Sequence, residues 1–234
     1  MPYLAKHKVW LISAGFLLVF VSVDYASAFR NWHGFHHITP WNPVVGLSFS
    51  FIYFFGPAFW PLVMAAHVLG YLAHKYAQSV GVTGITTAIL GCLPYIAAGW
   101  AYQRFSRGDP FVNLNAMLRF IGLCILAAAA TGALHAVVLW LGNQINFDNM
   151  LIVGPRRFVG DLSGVLGVGA VCLLAGKGRT ILNKPWLAGL QLLAIVATLG
   201  LVFGYPYASS LQLFYLLFLP LLWVALVHGV HGAV

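Results

Sequence analysis

Four carboxylates, Asp24, Asp109, Asp148 and Asp161, are all that a chain of 234 residues carries, and glutamate is absent. Charged residues of both signs make up 7% of the sequence and hydrophobic residues 61%. A soluble domain carries about 25% charged residues, so this chain cannot cover a water-facing surface. Disorder is excluded as well, because it goes with low hydrophobicity and high net charge. What remains is a chain whose solvent is lipid. A spanning helix takes roughly 20 apolar residues, which leaves room for about eight helices and for no sizeable soluble domain.

The apolar runs predict where those helices lie. The first is Val9–Phe29, too long and too aromatic for a cleaved signal peptide. A polar stretch, Arg30–Thr39, leads through Pro40-Trp41-Asn42-Pro43 into a short second helix that ends at Phe55, before a Gly56-Pro57 turn. Further helices are expected near 58–76, 82–102, 116–141, 156–175, 185–203 and 210–228, with polar loops at 103–114 and 142–155. The expected fold is thus all-α: one polytopic transmembrane bundle over residues 1–234, with no soluble output domain. Pro94 stands inside the fourth helix as a candidate kink.

The net charge of +8 is spread over short loops rather than gathered in a nucleic-acid-binding patch. With the N-terminus inside and each helix crossing once, the inner segments hold Lys6, Lys8, Arg104, Arg107, Arg119, Lys177, Arg179 and Lys184. The outer ends hold Arg30, Lys75, Arg156 and Arg157. Eight against four agrees with the positive-inside rule. Both termini are then cytoplasmic, the expected location is a bacterial inner membrane, and the basic loops contact anionic lipid.

Ionisable side chains inside a bilayer are expensive and are functional candidates by default. In this topology Asp24 lies near the outer end of the first helix, and His33, His36 and His37 lie in the loop after it. His67 falls near mid-depth of the third helix, with His74 two turns further out, about 10 Å along the same face. His135 lies just below the outer end of the fifth helix. Arg156, Arg157 and Asp161 open the sixth, with Asp161 about one turn in, where an acid suits the helix dipole and can pair with Arg157 at i, i+4. Most polar groups therefore converge on the outer half of the bundle; His228 and His231 lie near the inner face. Each has a plainer reading: snorkelling for the arginines, an interhelical hydrogen bond for His67 or His135.

Nine histidines against four acids is unusual. Imidazole is the commonest metal ligand and the axial ligand of b-type haem. One of His67 or His74 with His135 could clamp a haem b, and His33, His36 and His37 could hold copper or another metal ion. Cys92, Cys124 and Cys172 sit in apolar runs without metal-ligand spacing, as small hydrophobes do. No HExxH, phosphate loop, GxSxG or dinucleotide fingerprint is present. Without glutamate there is no di-iron carboxylate set. A small transporter would show half-to-half similarity, and none is visible.

Three stretches are similar to one family. Trp41-Asn42-Pro43-Val44-Val45-Gly46, followed by an apolar run, a Gly-Pro turn and Trp60-Pro61, resembles the start of the MASE1 integral-membrane sensory domain. Arg157-Phe158-Val159-Gly160-Asp161-Leu162-Ser163-Gly164-Val165-Leu166-Gly167 resembles a later helix, and Phe218–Leu226 with Gly229 and Gly232 its last segment. The Gly-Asp-x-x-Gly element is the most specific of these. The resemblance implies a sensory rather than catalytic domain that signals to a cytoplasmic output, a histidine kinase or diguanylate cyclase, in two-component or cyclic-nucleotide signalling. It also implies a homodimer. The sensing site expected on this reading comprises Trp41, Asn42, Asp24, Arg157 and Asp161; His67, His74 and His135 are added as cofactor ligands by the histidine chemistry, not by the resemblance. The small residues Gly160, Gly164, Gly167, Ala127–Ala130 and Gly132 would let helices slide or simply pack closely. The competing reading is an integral-membrane haem-b electron carrier or a metal-dependent membrane enzyme.

Overall fold

The computed structural model describes residues 6–27, 41–73, 77–106, 111, 114–176, 186, 190, 193, 194 and 196–198. Among these no strand occurs. The helices are α1 (Lys6–Ser27), α2 (Pro43–Phe55), α3 (Trp60–Ala73), α4 (Ala77–Ser106), α5 (Leu114–Leu141), α6 (Phe147–Gly164) and α7 (Ala170–Ala175). A 3-10 turn at Pro57–Phe59 leads into α3, and a π-helical stretch at Val165–Gly169 joins α6 to α7 without a break. Two compact units divide the chain, residues 1–177 and 178–234, and α1 to α7 belong to the first. The second is described only at scattered helical positions, where Thr198 Oγ1 donates to the Ala194 carbonyl at 2.7 Å. The expected seventh and eighth helices otherwise lie outside the described residues.

Four helical spans, Lys8–Ser27, Gly81–Ser106, Leu114–Leu141 and Phe147–Ala175, are long and apolar enough to cross a membrane. Large apolar side chains point outward from them, Trp10, Leu18, Leu126 and Leu151 among others. In water such a surface would be an aggregation hazard; against lipid tails it is the ordinary exterior.

The short α2 occupies the centre. It is apolar on every side, as a fully enclosed helix must be, and ten of its thirteen residues are buried. Around it pack α1, α4, α6, the 3-10 turn, the π-helical stretch and α7, and α3 reaches it through His67 and Ser48. At 1.5 Å per residue α2 is about 20 Å long, about 10 Å short of a hydrocarbon core. Protein rather than lipid surrounds it, so its length need not match the bilayer. Pro43 starts it and Gly56 ends it, with the Gly56 amide bonded to the Ile52 carbonyl at 2.8 Å and φ at +89°. This is the expected Gly-Pro turn.

Aromatic rings seal the Gly56 end of α2. Phe49, Tyr53, Tyr102 and Phe120 cluster with centroids 5.5–5.9 Å apart, while Gln103 Nε2 donates to the Tyr53 carbonyl and Ser106 to the Tyr53 hydroxyl. Pro94 does lie within α4. A proline withholds its amide from the preceding turn, and here Thr131 of α5 donates to the neighbouring Gly91 carbonyl at 3.2 Å.

One helix boundary corrects the sequence reading. The loop expected at 142–155 shrinks to residues 142–146, because α6 begins at Phe147 with Pro155 inside it. A proline favours the first position of a helix, which is why residue 155 reads as a start. Asn146 takes the N-cap position instead, and Asp148 places a negative charge in the first turn, where it suits the dipole. Gly154, beside the proline, lies against Gly132 of α5, where a Cβ on Gly132 would meet the Gly154 carbonyl at 2.7 Å. Asp161 is therefore not one turn inside its helix. It stands fourteen residues after Phe147 and fourteen before Ala175, the ends of that span, or about 21 Å from either.

Candidate functional site around Asp161

Asp161 is fully buried at the middle of the helical span Phe147–Ala175. A lone carboxylate there is untenable, so its partners define the site. Asn42, which caps α2, donates Nδ2 to Oδ1 at 2.7 Å. Tyr95 of α4 donates its hydroxyl to Oδ2 at 3.0 Å, and Thr131 of α5, which donates to the Gly91 carbonyl, lies near that hydroxyl. Arg157, one turn earlier on α6, puts Nε 3.0 Å from Oδ1. That N–H is buried but not aimed in hydrogen-bonding geometry; the contact is an ion pair at one point, not a two-pronged fork. Two neutral donors from two other helices and one cation thus hold the charge.

The Gly-Asp-x-x-Gly element is the α6 half of a joint with α2. The Asn42 backbone amide donates to the Gly160 carbonyl at 2.9 Å. One turn on, the Asn42 carbonyl fills the place where a Cβ on Gly164 would stand. Asn42 is therefore gripped by three successive features of α6: the Gly160 carbonyl, the Asp161 carboxylate and the bare face of Gly164. One turn further along α2, a Cβ on Gly46 would meet Gly164 O and Gly169 N at 2.7 Å. Ser50 then donates to the Gly169 carbonyl at 3.2 Å. The π-helical stretch thus coincides with a close approach of the α2 backbone, as π-bulges often coincide with functional sites.

A second polar group abuts this joint. His67 of α3 has Nε2 2.9 Å from Ser48 Oγ, and Ser48 donates its single proton to the Val44 carbonyl at 2.9 Å. Both contacts are satisfied together only if His67 carries its proton on Nε2. Phe20 of α1 packs edge-on against the imidazole at 4.8 Å. The charges of Asp24 and Arg157 both act on this ring, from α1 and α6 respectively. Asp24 itself lies against Gly70, one turn beyond His67 on α3.

Of the residues expected from sequence, Asn42, Arg157 and Asp161 come into direct contact, and Asp24 and His67 flank them. Trp41 is half exposed beside Asn42. His135 is on α5, and α4 stands between α5 and α3, so His67 and His135 do not face one another as a haem pair would. Among the described residues no group of three or more His, Cys, Asp or Glu is placed to hold a metal ion. His33, His36, His37 and His74 lie outside the described residues. Gly160 and Gly164 serve the α2 joint, whereas Gly167 meets nothing within 4 Å.

Sequence reasoning missed Tyr95 and Ser48. Both are uncharged and sit in apolar runs, where they read as ordinary packing. The available signal was that a buried phenol needs an acceptor, and that acids are nearly absent from this chain.

An all-helical, membrane-associated bundle whose helices are joined, among the described residues, at one buried carboxylate is the class that fold and site define. The MASE1 family model matches residues 11–234. The chain belongs to the MASE1 family of membrane-associated sensory domains. No curated protein and no solved structure matched it.

Proposed function

We propose that this sensory domain reads its stimulus at the Asp161 joint and transmits it by a shift between two packings of α2 against α6. The carrying observation is that one buried carboxylate is shared by α2, α4 and α6 through Asn42, Tyr95 and Arg157. Anything that competes for that carboxylate, or for its arginine, is felt by three helices at once. A ligand moves such an equilibrium only by its differential affinity for the two packings. Coupling energies of about 1–3 kcal/mol suffice for 5–150-fold effects, and one hydrogen bond to a charged group is worth about 1.5–3 kcal/mol. Weakening a single Asp161 bond is therefore enough.

In this reading the Asp161 joint lies near mid-depth and Asp24 in the outer half of an inner-membrane, multi-pass bundle, both termini are cytoplasmic, and the output is a histidine kinase or diguanylate cyclase acting as a homodimer. The excess of Lys and Arg in the inner segments supports that orientation. The test is to join the chain to a diguanylate cyclase output and measure basal product in membranes at matched expression. Asn42→Ala and Asp161→Asn are expected to displace basal output several-fold, and Gly122→Ala, which meets nothing within 4 Å, to leave it alone. Wild-type output from both joint variants would overturn the reading.

A further inference from the structure

Arg157 is only partly used by its ion pair. Its Nε is buried against Asp161, yet the side chain as a whole is 23% exposed. Among the described residues its two terminal amines have no hydrogen-bond partner. A guanidinium binds a carboxylate or phosphate best through two parallel N–H groups, and the single-point contact with Asp161 leaves the terminal fork open. Asp161 meanwhile keeps the neutral donors Asn42 and Tyr95 whatever the arginine does. The His67 ring lies within range of the same guanidinium.

From this geometry we infer that the terminal fork of Arg157 is a binding site for an oxyanion, a phosphate or carboxylate group, which competes with Asp161 for the arginine. The inference rests on the sensory reading and names the chemistry of its input. Binding of the oxyanion draws the guanidinium off Asp161 and leaves the α2–α6 joint held by Asn42 and Tyr95 alone. The group can come from a soluble anion or from an anionic lipid headgroup, since both present the same oxygens.

Competition has a sign that a merely structural arginine does not. Removing the Asp161 charge removes the anion that competes for the guanidinium, so Asp161→Asn should bind an oxyanion more tightly than the wild type. Arg157→Lys keeps the charge but not the fork and should bind about tenfold more weakly. The intact chain in phosphatidylcholine nanodiscs is titrated with inorganic phosphate and with acetate, against sodium chloride at constant ionic strength, and thermal unfolding is followed. In a second arm the discs contain phosphatidylglycerol and no added anion. Stabilisation by phosphate or acetate identifies a soluble source, and stabilisation by phosphatidylglycerol alone a lipid one. Either supports the proposal if Arg157→Lys weakens it and Asp161→Asn strengthens it. No stabilisation beyond chloride in either arm overturns it, as does an equal response from Arg157→Lys, or a loss in Asp161→Asn when that variant unfolds at the wild-type temperature without anion. An Asp161→Asn chain that fails to fold leaves the Arg157→Lys comparison to decide. Binding is read on the chain itself and output on the cyclase fusion, so failure here leaves the sensory reading standing.

Discussion

The carbonyl of Asn42 occupies the space that a side chain on Gly164 would need. These two residues are 122 positions apart in the chain, and their contact brings the N-terminus of α2 against the middle of the α6 span. The obstructing atoms are backbone, which cannot rotate away as a side-chain tip could. Gly164→Ala should therefore cost about 1–3 kcal/mol or more through overpacking. Gly122→Ala, in open space on α5, should be neutral or gain up to about 1 kcal/mol from helix propensity. Thermal unfolding of the two variants in the same detergent compares them directly; equal midpoints would contradict the joint.

Tyr95→Phe deletes the only donor described for Asp161 Oδ2. Loss of a hydrogen bond to a buried charge should cost about 1.5–3 kcal/mol. In an Asp161→Asn background the acceptor is neutral, and the same deletion should cost only about 0.5–1.5 kcal/mol. A double-mutant cycle from denaturant unfolding reads that difference, and additivity of the two changes would mean that the phenol and the carboxylate do not interact.

His67 bears on the haem expectation. Its Nε2 is engaged by Ser48, and α4 separates its helix from that of His135. His67→Ala should therefore leave the visible absorption spectrum of the purified protein unchanged, oxidised or dithionite-reduced. Loss of a Soret band in that variant would show that His67 ligates haem after all.

Topology can be read by labelling. In a background with Cys92, Cys124 and Cys172 replaced by alanine, Gln144→Cys lies in the exposed turn between α5 and α6, and Asn115→Cys at the exposed opposite end of α5. A membrane-impermeant maleimide should label Gln144→Cys in intact spheroplasts and Asn115→Cys only after lysis. The reverse pattern would invert the orientation.

Much of this was legible in one dimension. Long apolar runs mark α1, α4 and α5, and the Gly56-Pro57 turn marks the end of α2, because those signals are local. Arg157 and Asp161 stood out because a charged group in an apolar chain must have a reason to be there, and Asn42 because the Trp41-Asn42-Pro43 stretch resembles the MASE1 domain. The start of α6 did not, since Pro155 imitates a helix start and the packing of Gly154 on Gly132 of α5 joins residues far apart in the chain. Nor did Tyr95, which looks like any aromatic until the acid it serves is known.

Composition by itself determined that this chain is helical and lives in lipid, because a backbone without water must satisfy its own hydrogen bonds and four acids cannot dress a soluble surface. It also determined which few side chains would be too costly to bury unaccompanied. Only the tertiary structure decided who accompanies them. That Asn42 reaches Gly160, Asp161 and Gly164, that Tyr95 turns its hydroxyl to the same carboxylate, and that His67 faces Ser48 rather than His135 all depend on which helices pack together. Helix packing is set by side-chain shape at contacts far apart in the chain, and no local pattern carries that information.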